Sequence, residues 1–419
     1  MSPGLFYIYP VQCGKKIYLI IFNSFFFRGG KLLPHERIYL SISGKVPDRV
    51  PNVPKIWVDL GARLTQTDLL EVIQNPLTAL KVIVDAALLV GADGARQFHF
   101  PKRKIIRENK KVIEVNQKGK HLGEIDMLGG LLTRLYDEKD FDLTDPYQIA
   151  HQHFWSAPKP LIKNKEDVER IVVPDRQFYK EIGCQERQQE IFESVGKQCG
   201  LIGDCDSATL AFYVDFCGYQ KALMDLVDNP SLVHTAMEKG VAIAVEKGKF
   251  NIDLGFQILR LNDSVANMSV ISPQFWREFI FPHMKDVCDE LHHYDPEVKV
   301  YCHICGNIIP IVEDLVKTGL DCIGPLDPLG GFTPGQAREI VGDRVSLMGG
   351  VNTLSFINNT SKQIIEEAKM CILEAGQRGG YILSSGCVIP RGASKENVRA
   401  LRIATEKYGV YQNGVLKEN

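Results

Sequence analysis

The feature that most constrains the fold of this 419-residue chain is an alternation of short apolar runs with longer helix-period segments from residue 200 onward. Five such pairs follow one another, and examples are "GFQILRL" (255–261) before "SPQFWREFIF" and "VKVYCHI" (298–304) before "PIVEDLVKTG". Ser272 and Thr333, each followed by proline, are typical N-cap residues of the helices that follow. A strand followed by a helix, repeated along the chain, is typical of parallel βα units.

Three earlier apolar runs raise the number of predicted strands to about eight: "VPKIWVDL" (53–60), "GARQFHF" (94–100) and "LIGDC" (201–205). Eight βα units predict an α/β fold of the (β/α)8 TIM-type barrel class. An open doubly wound sheet is the alternative. It is disfavoured because "GADGAR" lacks the G-x-G-x-x-G spacing of a phosphate-binding loop.

Two regions depart from this rhythm. Residues 101–200 contain a charged hairpin pattern, "KIIRENKKVIEVNQKGK", and several helix-period segments, so we expect a helical and hairpin insertion between strands 2 and 3 of one domain spanning 31–419. Residues 1–30 are an N-terminal extension of unknown role. Their apolar run, 17–27, is shorter than a membrane span needs, and it is interpreted as an edge strand, an arm or a targeting segment.

The composition indicates a large apolar core and excludes a net basic protein. Hydrophobic residues make up 45% of the chain and charged residues 24%, with a formal net charge of -2. Nucleic-acid binding and membrane association are therefore not expected. The eleven cysteines form no dense framework, which favours a reducing, cytoplasmic compartment.

Metal-binding side chains occur in "VYCHICGNIIP" (300–310), where His303 and Cys305 are two residues apart. Alternate residues of a strand point to one face, so both side chains lie at the carboxyl end of the predicted strand, where barrel enzymes place their active sites. Catalytic zinc takes three nitrogen or sulfur ligands from the protein. The third would be Cys387 or Cys205, each of which also follows a strand. The alternative is a packed histidine and cysteine without metal, since free cysteines are commonly buried.

Four polar residues follow other predicted strands and complete the candidate site. Asp263 is predicted to be catalytic, as a proton donor to a leaving oxygen. Asn262, Asp327 and Asn352 are predicted to bind substrate. The alternative for residues in such positions is to cap the segments that follow them.

Residues 255–409 resemble the uroporphyrinogen decarboxylase superfamily, and within it the zinc- and corrinoid-dependent methyltransferase branch. The segments that carry this resemblance include "VYCHICGNIIPIVEDLVKTGLDCI", "GDRVSLMGGVN" and "GGYILSSGCVIPRGASKENVRAL". In that branch a His-x-Cys pair and a distant cysteine hold zinc. The resemblance therefore implies a barrel fold and Zn²⁺ bound by His303, Cys305 and Cys387.

The resemblance also implies the reaction and its partner. A methyl group would move between a small methoxylated or N-methylated compound, or a thiol, and the cobalt of a corrinoid. The chain contains no D-x-H-x-x-G motif for cobalamin binding, so the corrinoid is expected on a separate protein. A homodimer is a possible assembly for such a chain.

Two alternative functions stay open. Uroporphyrinogen decarboxylase works without metal, and we expect it to have a histidine at the position of Cys387 and an arginine pair in W-x-x-R-Q-A-G-R. The corresponding "IWVDLGARL" retains only Arg63. The other alternative is a non-catalytic barrel with structural zinc and Cys205 as its fourth ligand.

Overall fold

The structure, a computed structural model, describes residues 7–13, 16–22, 32–128, 131–151 and 154–418. The described residues up to Leu32 and those from Leu33 onward form two separate compact units. In the first unit, β1 (Tyr7–Cys13) and β2 (Lys16–Phe22) pair in antiparallel fashion. The rest of the apolar run and the Arg28–Gly30 segment, which bear on a targeting role, lie outside the described residues.

The strands of the second unit are, in chain order, β3 (Gly94–Gln97), β4 (Lys104–Glu108), β5 (Lys111–Val115), β6 (His121–Asp126), β7 (Leu132–Leu135), β8 (Trp155–Ser156), β9 (Gly200–Asp204), β10 (Ile258–Asn262), β11 (Lys299–His303), β12 (Cys322–Leu326), β13 (Ser346–Val351), β14 (Tyr381–Ser385), β15 (Tyr411–Gln412) and β16 (Val415–Leu416).

Seven of these strands form one parallel sheet in the order β14-β13-β12-β11-β10-β9-β3. Its strands are buried along nearly their whole length, as in β12, because helices cover parallel sheets on the outside. Strands β4 to β8 form a second sheet of five strands, in which β4 to β7 are antiparallel. The predicted hairpin is thus confirmed as β4–β5, within a larger sheet than the sequence indicates.

The α-helices are α1 (Pro34–Ile42), α2 (Val58–Thr65), α3 (Leu69–Gln74), α4 (Pro76–Val90), α5 (Pro146–Ile149), α6 (Lys165–Arg170), α7 (Arg176–Glu181), α8 (Cys184–Val195), α9 (Leu210–Cys217), α10 (Tyr219–Asp228), α11 (Pro230–Leu254), α12 (Pro273–Phe275), α13 (Phe281–Tyr294), α14 (Val312–Lys317), α15 (Pro334–Val341), α16 (Ser355–Asn358), α17 (Ser361–Ala375) and α18 (Lys395–Tyr408). A π-helical segment, Trp276–Ile280, joins α12 to α13. The predicted N-caps Ser272 and Thr333 are confirmed, because each side chain accepts a backbone N–H of the first turn.

The inner face of the parallel sheet is organised in layers that follow from the two-residue period of a strand. Six strands each contribute one buried residue to an apolar cluster that also contains Ile38 and Ile42 of α1: Ile202, Ile258, Tyr301, Cys322, Met348 and Ile382. Two residues further along three of these strands stand Asp204, Arg260 and His303. The inside of the sheet therefore changes from apolar to polar toward its carboxyl end.

The first predicted strand, 53–60, is wrong over most of its length, because α2 begins at Val58. Extended pairing stops near Pro54, which has no N–H to donate to a ladder. The paired residues lie just before it. Val53 N donates to Leu383 O of β14 at 2.9 Å, and Leu383 N donates to Pro51 O at 2.9 Å.

The same short segment also reaches the opposite edge of the sheet. Asp93 N, immediately before β3, donates to Asn52 O at 2.8 Å. Residues 51–53 therefore link the two edge strands, and the seven-stranded sheet is curled into a form close to a TIM-like barrel. Within the described part of the chain, none of the helices combines the length and apolar character that a membrane span requires.

Candidate metal centre

His303, Cys305 and Cys387 come together at the carboxyl end of the parallel sheet. His303 is the last residue of β11, Cys305 follows it by two residues, and Cys387 follows the end of β14 by two residues. Cys387 Sγ lies 3.7 Å from His303 Nε2. One ligand atom from each of the three residues lies within 4.8 Å of the other two.

The loops after the strands bend inward, which brings together strands that are not neighbours. Strands β12 and β13 separate β11 from β14 in the sheet. Gly306, with φ of 85°, turns the chain after Cys305, and its N–H donates to Asp327 Oδ2 at 3.1 Å. Gly386 N donates to Val351 O at 2.7 Å, and a Cβ on Gly386 would lie only 2.9 Å from Pro328 Cδ. Glycine before Cys387 is thus required for this close approach.

The protonation states of the three side chains suit a metal ion. Burial lowers the pKa of His303 well below its usual value, so the imidazole is neutral near pH 7. The thiol of Cys305 donates a hydrogen bond to Cys387 and lowers the pKa of Cys387 to about 6, while the pKa of Cys305 rises. The hydrogen bond thus favours the thiolate form of Cys387, which is the form in which cysteine binds a metal ion.

The geometry fits a tetrahedral zinc ion with one open position. Bonds of about 2.0–2.3 Å place neighbouring tetrahedral ligands roughly 3.3–3.8 Å apart, close to the sulfur–nitrogen distance found here. Among the described residues, no fourth histidine, cysteine or acidic side chain joins the group. His303 Nδ1 is buried and has no hydrogen-bond partner in that part of the chain. Cys205 is fully buried, and Asn251, whose amide donates to Asp204 O, is among its neighbours.

Asp263 lies beneath the mouth of the sheet and is 1% exposed. Its Oδ1 accepts a hydrogen bond from Ala211 N at 2.8 Å, and its Oδ2 accepts one from the Thr209 hydroxyl. Burial raises its pKa to about 6. These contacts place the carboxylate at the start of α9, which precedes Asp263 in the chain, and not at the segment that follows it. A catalytic role of Asp263 stays a prediction.

The three predicted substrate-binding residues occupy different surroundings. Asn262 lines a cavity at the mouth and accepts a hydrogen bond from Arg260 at 2.7 Å. Asp327 holds the turns after β11 and β12, because its two oxygens accept Gly306 N and Leu329 N. Asn352 Oδ1 accepts Leu354 N at 2.9 Å in the turn before α16. The structure therefore brings Asn262 to the cavity, whereas Asp327 and Asn352 are engaged in loop structure.

The sequence reasoning missed three cationic side chains at the mouth. Lys55, Arg96 and Arg260 line a small cavity of about 20 Å³, and the two arginines also line an adjoining cavity of about 190 Å³. A signal for two of them is present in the sequence. Lys55 in "VPKIW" and Arg260 in "ILRLN" are single charges in otherwise apolar runs, and such charges point inward only where a partner or a ligand compensates them.

The model of the uroporphyrinogen decarboxylase (URO-D) family matches residues 155–408. The chain belongs to this family. The resemblance seen in residues 255–409 is thereby confirmed, and it extends toward the N-terminus as far as β8. Strands β4 to β7 lie outside the matched region.

Curated relatives include both methyltransferases and decarboxylases. The chain is 27% identical over 173 residues to a methylated-thiol–coenzyme M methyltransferase of Methanosarcina mazei, covering 41% of this chain and 44% of that protein. It is 23% identical over 218 residues to the methylcobamide:CoM methyltransferase MtaA of Methanosarcina barkeri, covering 52% and 60%. A uroporphyrinogen decarboxylase of Thermosynechococcus vestitus is 28% identical over 172 residues, covering 41% and 48%. The chain thus spans about half the length of these relatives.

A solved structure shares the fold over nearly the whole chain. A methyltransferase from Methanosarcina mazei superposes with a TM-score of 0.62 at 17% identity, covering 90% of this chain and 99% of that one. At this identity the likeness establishes the fold only.

Proposed function

We propose that this protein is a zinc-dependent methyltransferase that moves a methyl group between a small methylated substrate, or a thiol, and the cobalt of a separate corrinoid protein. The observation that carries the proposal is the convergence of His303, Cys305 and Cys387 at the mouth of the sheet. Three ligands with an open fourth position are typical of catalytic zinc, whereas structural zinc has four protein ligands.

The residues of the chain have separate tasks in this proposal. Zn²⁺ held there would supply Lewis acidity to a heteroatom of the substrate, or hold a substrate thiol as thiolate. His303 is kept neutral by burial, and Cys387 is kept as thiolate by the Cys305 hydrogen bond. Asp327 orients the turn that carries Cys305.

A rim of exposed apolar side chains supports a protein partner at the same end of the sheet. Leu329, Leu354, Ile357 and Val388 follow strands β12, β13 and β14, and each is between 37% and 57% exposed. Exposed apolar side chains that gather at one end of a sheet are available to a protein partner. Two relatives are named for methyl transfer to coenzyme M, one of them from methylcobamide, which favours a corrinoid protein as the partner.

We also infer how the strands of the barrel and the insertion are arranged along the chain. Residues 51–53 take the place of the first strand of a closed (β/α)8 barrel, with β3 and β9 as the second and third. Residues 101–200 then form the insertion between strands 2 and 3 of a domain spanning 31–419. Every cysteine whose side chain the structure describes is free, which supports a reducing, cytoplasmic compartment.

Metal-free uroporphyrinogen decarboxylation is the alternative, and one observation favours it. The cations at the mouth would suit a substrate with several carboxylates. Against it, position 387 is a cysteine, and Arg63, the one arginine shared with the decarboxylase motif, is exposed and donates to Ala393 O at 2.6 Å.

The two activities are separated by assaying both on one preparation. Zinc-loaded protein is mixed with cob(I)alamin and methoxylated, N-methylated or S-methylated donors, or with methylcobalamin and thiols, and the cobalamin spectrum is followed. Cys387→Ala is expected to lower the rate by at least about 100-fold, since even outer-shell changes at zinc sites cost 10–100-fold. Cys371→Ala, a buried cysteine of α17 outside the site, is the matched control. Conversion of uroporphyrinogen to coproporphyrinogen, unchanged in Cys387→Ala, would contradict the proposal.

The partner surface has its own test. Ile357→Glu should slow transfer that uses a corrinoid protein and leave transfer with free cobalamin unchanged, because only the former needs the rim. Met370→Glu, a similarly exposed residue of α17 away from the rim, is the control. Equal effects of the two substitutions would show that the rim is not the surface that contacts the corrinoid protein.

A further inference from the structure

Two adjoining cavities border the candidate metal centre. They share Arg96, Arg260 and Val388 in their walls. Val388 directly follows Cys387, and Asn262, on the wall of the larger cavity, pairs with His303 in the sheet register. A molecule that fills these cavities would therefore contact residues adjacent to Cys387 and His303, although the three metal-binding side chains do not themselves line the walls.

The smaller cavity contains a lysine that forms no ion pair with a carboxylate of the described chain. Lys55 Nζ lies 3.9 Å from Met348 Sδ and 5.2 Å from the centroid of the Tyr301 ring, and it forms no ion pair with a described residue. Burial, together with Arg260 and Arg96, lowers its pKa to about 7, and the sulfurs of Cys387 and Cys322 oppose this shift only in part. An ammonium group in such surroundings is costly unless an anion compensates it.

The two arginines beside Lys55 share a single carboxylate. Asp204 Oδ2 accepts a hydrogen bond from Arg260 Nη1 at 2.7 Å and lies 3.3 Å from Arg96 Nε. Arg96 makes no hydrogen bond to a described residue through its terminal nitrogens, and its guanidinium lies 4.1 Å from the centroid of the Trp57 ring. The larger cavity also contains the ion pair of Lys247 with Asp206. The walls of the two cavities thus contain four cations and two carboxylates, which leaves a surplus of positive charge.

The larger cavity has an aromatic wall next to these cations. The rings of Trp57, Phe98, Phe100 and Phe154 form a continuous cluster, with neighbouring centroids 4.8 to 6.4 Å apart. All four residues line the cavity. A flat, apolar body stacks favourably on such a surface.

We propose that the substrate is a small aromatic acid whose carboxylate is held by Lys55 and Arg96 and whose ring packs on the wall formed by Trp57, Phe98, Phe100 and Phe154. This inference rests on the proposed function, and it names the substrate class of the same site. The methyl-bearing substituent then lies toward Cys387.

The dimensions of the two cavities agree with this division. About 20 Å³ accommodates one or two water-sized groups, which is the size of a carboxylate end. The 190 Å³ of the larger cavity is left for the ring and its substituent. Arg260 remains paired with Asp204 and Asn262, so Lys55 and Arg96 are the cations left to bind the carboxylate.

The test is calorimetric titration of zinc-loaded protein with 4-methoxybenzoate and with 4-methoxybenzamide, its neutral analogue. The acid should bind at least about 10-fold tighter than the amide. Lys55→Met should weaken binding of the acid by about 30-fold or more, as expected when one partner of a desolvated charge pair is removed, and leave the amide unchanged. Lys45→Met, at an exposed lysine outside the cavities, is the matched control and should change neither affinity.

Several results would overturn the inference. These are equal affinities for acid and amide, no binding of either, an affinity for the acid that Lys55→Met leaves intact, or binding of 2-mercaptoethanesulfonate with no binding of the aromatic acid. Lys55→Gln repeats the test if Lys55→Met fails to fold, as judged by circular dichroism. Zinc content measured on each sample shows whether the metal site is loaded. If zinc-loaded protein binds the acid but transfers no methyl group, the proposed methyltransferase function is contradicted and the binding site for the aromatic acid stands.

Discussion

Two clusters of charged side chains, most of them partly or fully buried, differ in how their charges are compensated. The base ion cluster lies at the amino end of the parallel sheet, and the mouth cation cluster lies at its carboxyl end. The first consists of Arg37, Arg49, Arg402, Asp48, Asp93 and Glu406, and the second of Lys55, Arg96, Arg260 and Asp204.

In the base ion cluster every cation has a carboxylate. Asp93, which is 0% exposed, accepts hydrogen bonds from Arg37 at 2.7 Å and from both terminal nitrogens of Arg49 at 2.7 and 2.8 Å. Asp48 accepts two more from Arg37. Asp93 Oδ2 also accepts Asn52 N, so the cluster fixes the segment that links the two edges of the sheet.

In the mouth cation cluster the positive charge exceeds the negative. Asp204 is shared by two arginines, and the strongest contacts of Lys55 are a thioether and an aromatic ring. Comparison of the two clusters shows that charged residues in the interior do not by themselves indicate a binding site. A surplus of interior charge does indicate one. Its desolvation costs folding free energy, and a ligand of opposite charge can offset that cost.

The largest effect on stability is expected from a substitution in the base ion cluster. Asp93→Asn leaves the buried guanidinium groups of Arg37 and Arg49 without their shared carboxylate, so the free energy of unfolding should fall by about 3–5 kcal/mol. Urea denaturation followed by circular dichroism measures it. A loss below about 1 kcal/mol would show that the base ion cluster is not what holds the sheet closed.

In the mouth cation cluster, a substitution of Lys55 is expected to raise the stability of the protein. Lys55→Met removes an uncompensated charge and keeps the length of the side chain, so the free energy of unfolding at pH 7 should rise by roughly 1–3 kcal/mol. Lys45→Met should stay within about 0.5 kcal/mol of the wild type. If Lys55→Met destabilises the protein in the same denaturation experiment, the lysine has a structural partner and the comparison fails.

The smallest expected effect is a pH dependence. The pKa of Lys55 is about 7 in the folded protein and near 10.4 when unfolded, so between these values the unfolded state binds more protons and stability rises with pH. Between pH 7 and 8 this contributes about 1 kcal/mol to wild type and nothing to Lys55→Met. The stability gap between the two proteins should therefore narrow by that amount. A constant gap would mean that Lys55 keeps its proton throughout this range.

The sequence was sufficient to predict the parallel βα architecture, since the apolar period and the caps at Ser272 and Thr333 depend on local residues. The family was also accessible, because its motifs lie in contiguous segments. The strand at 53–60 was predicted wrongly, because its apolar content does not reveal that Pro54 ends the pairing and that a helix begins at Val58.

The cavity residues could not be predicted because they meet only through the closure of the sheet. Lys55, Arg96 and Arg260 come from three separate segments, and their charge balance depends on which carboxylates the fold brings near. Asp263 shows the converse case. Its position after β10 resembles that of a catalytic residue, yet its contacts with α9 are set by packing that the sequence does not show.

The most direct measurement for the central claim is the zinc content of protein purified without chelator, combined with zinc X-ray absorption. The wild type and Cys371→Ala should hold one zinc per chain with two sulfur ligands, one imidazole and one light-atom ligand that is not from the protein, and Cys387→Ala should lose it. Absence of zinc in all three proteins, or four protein ligands that fill the site, would contradict the account.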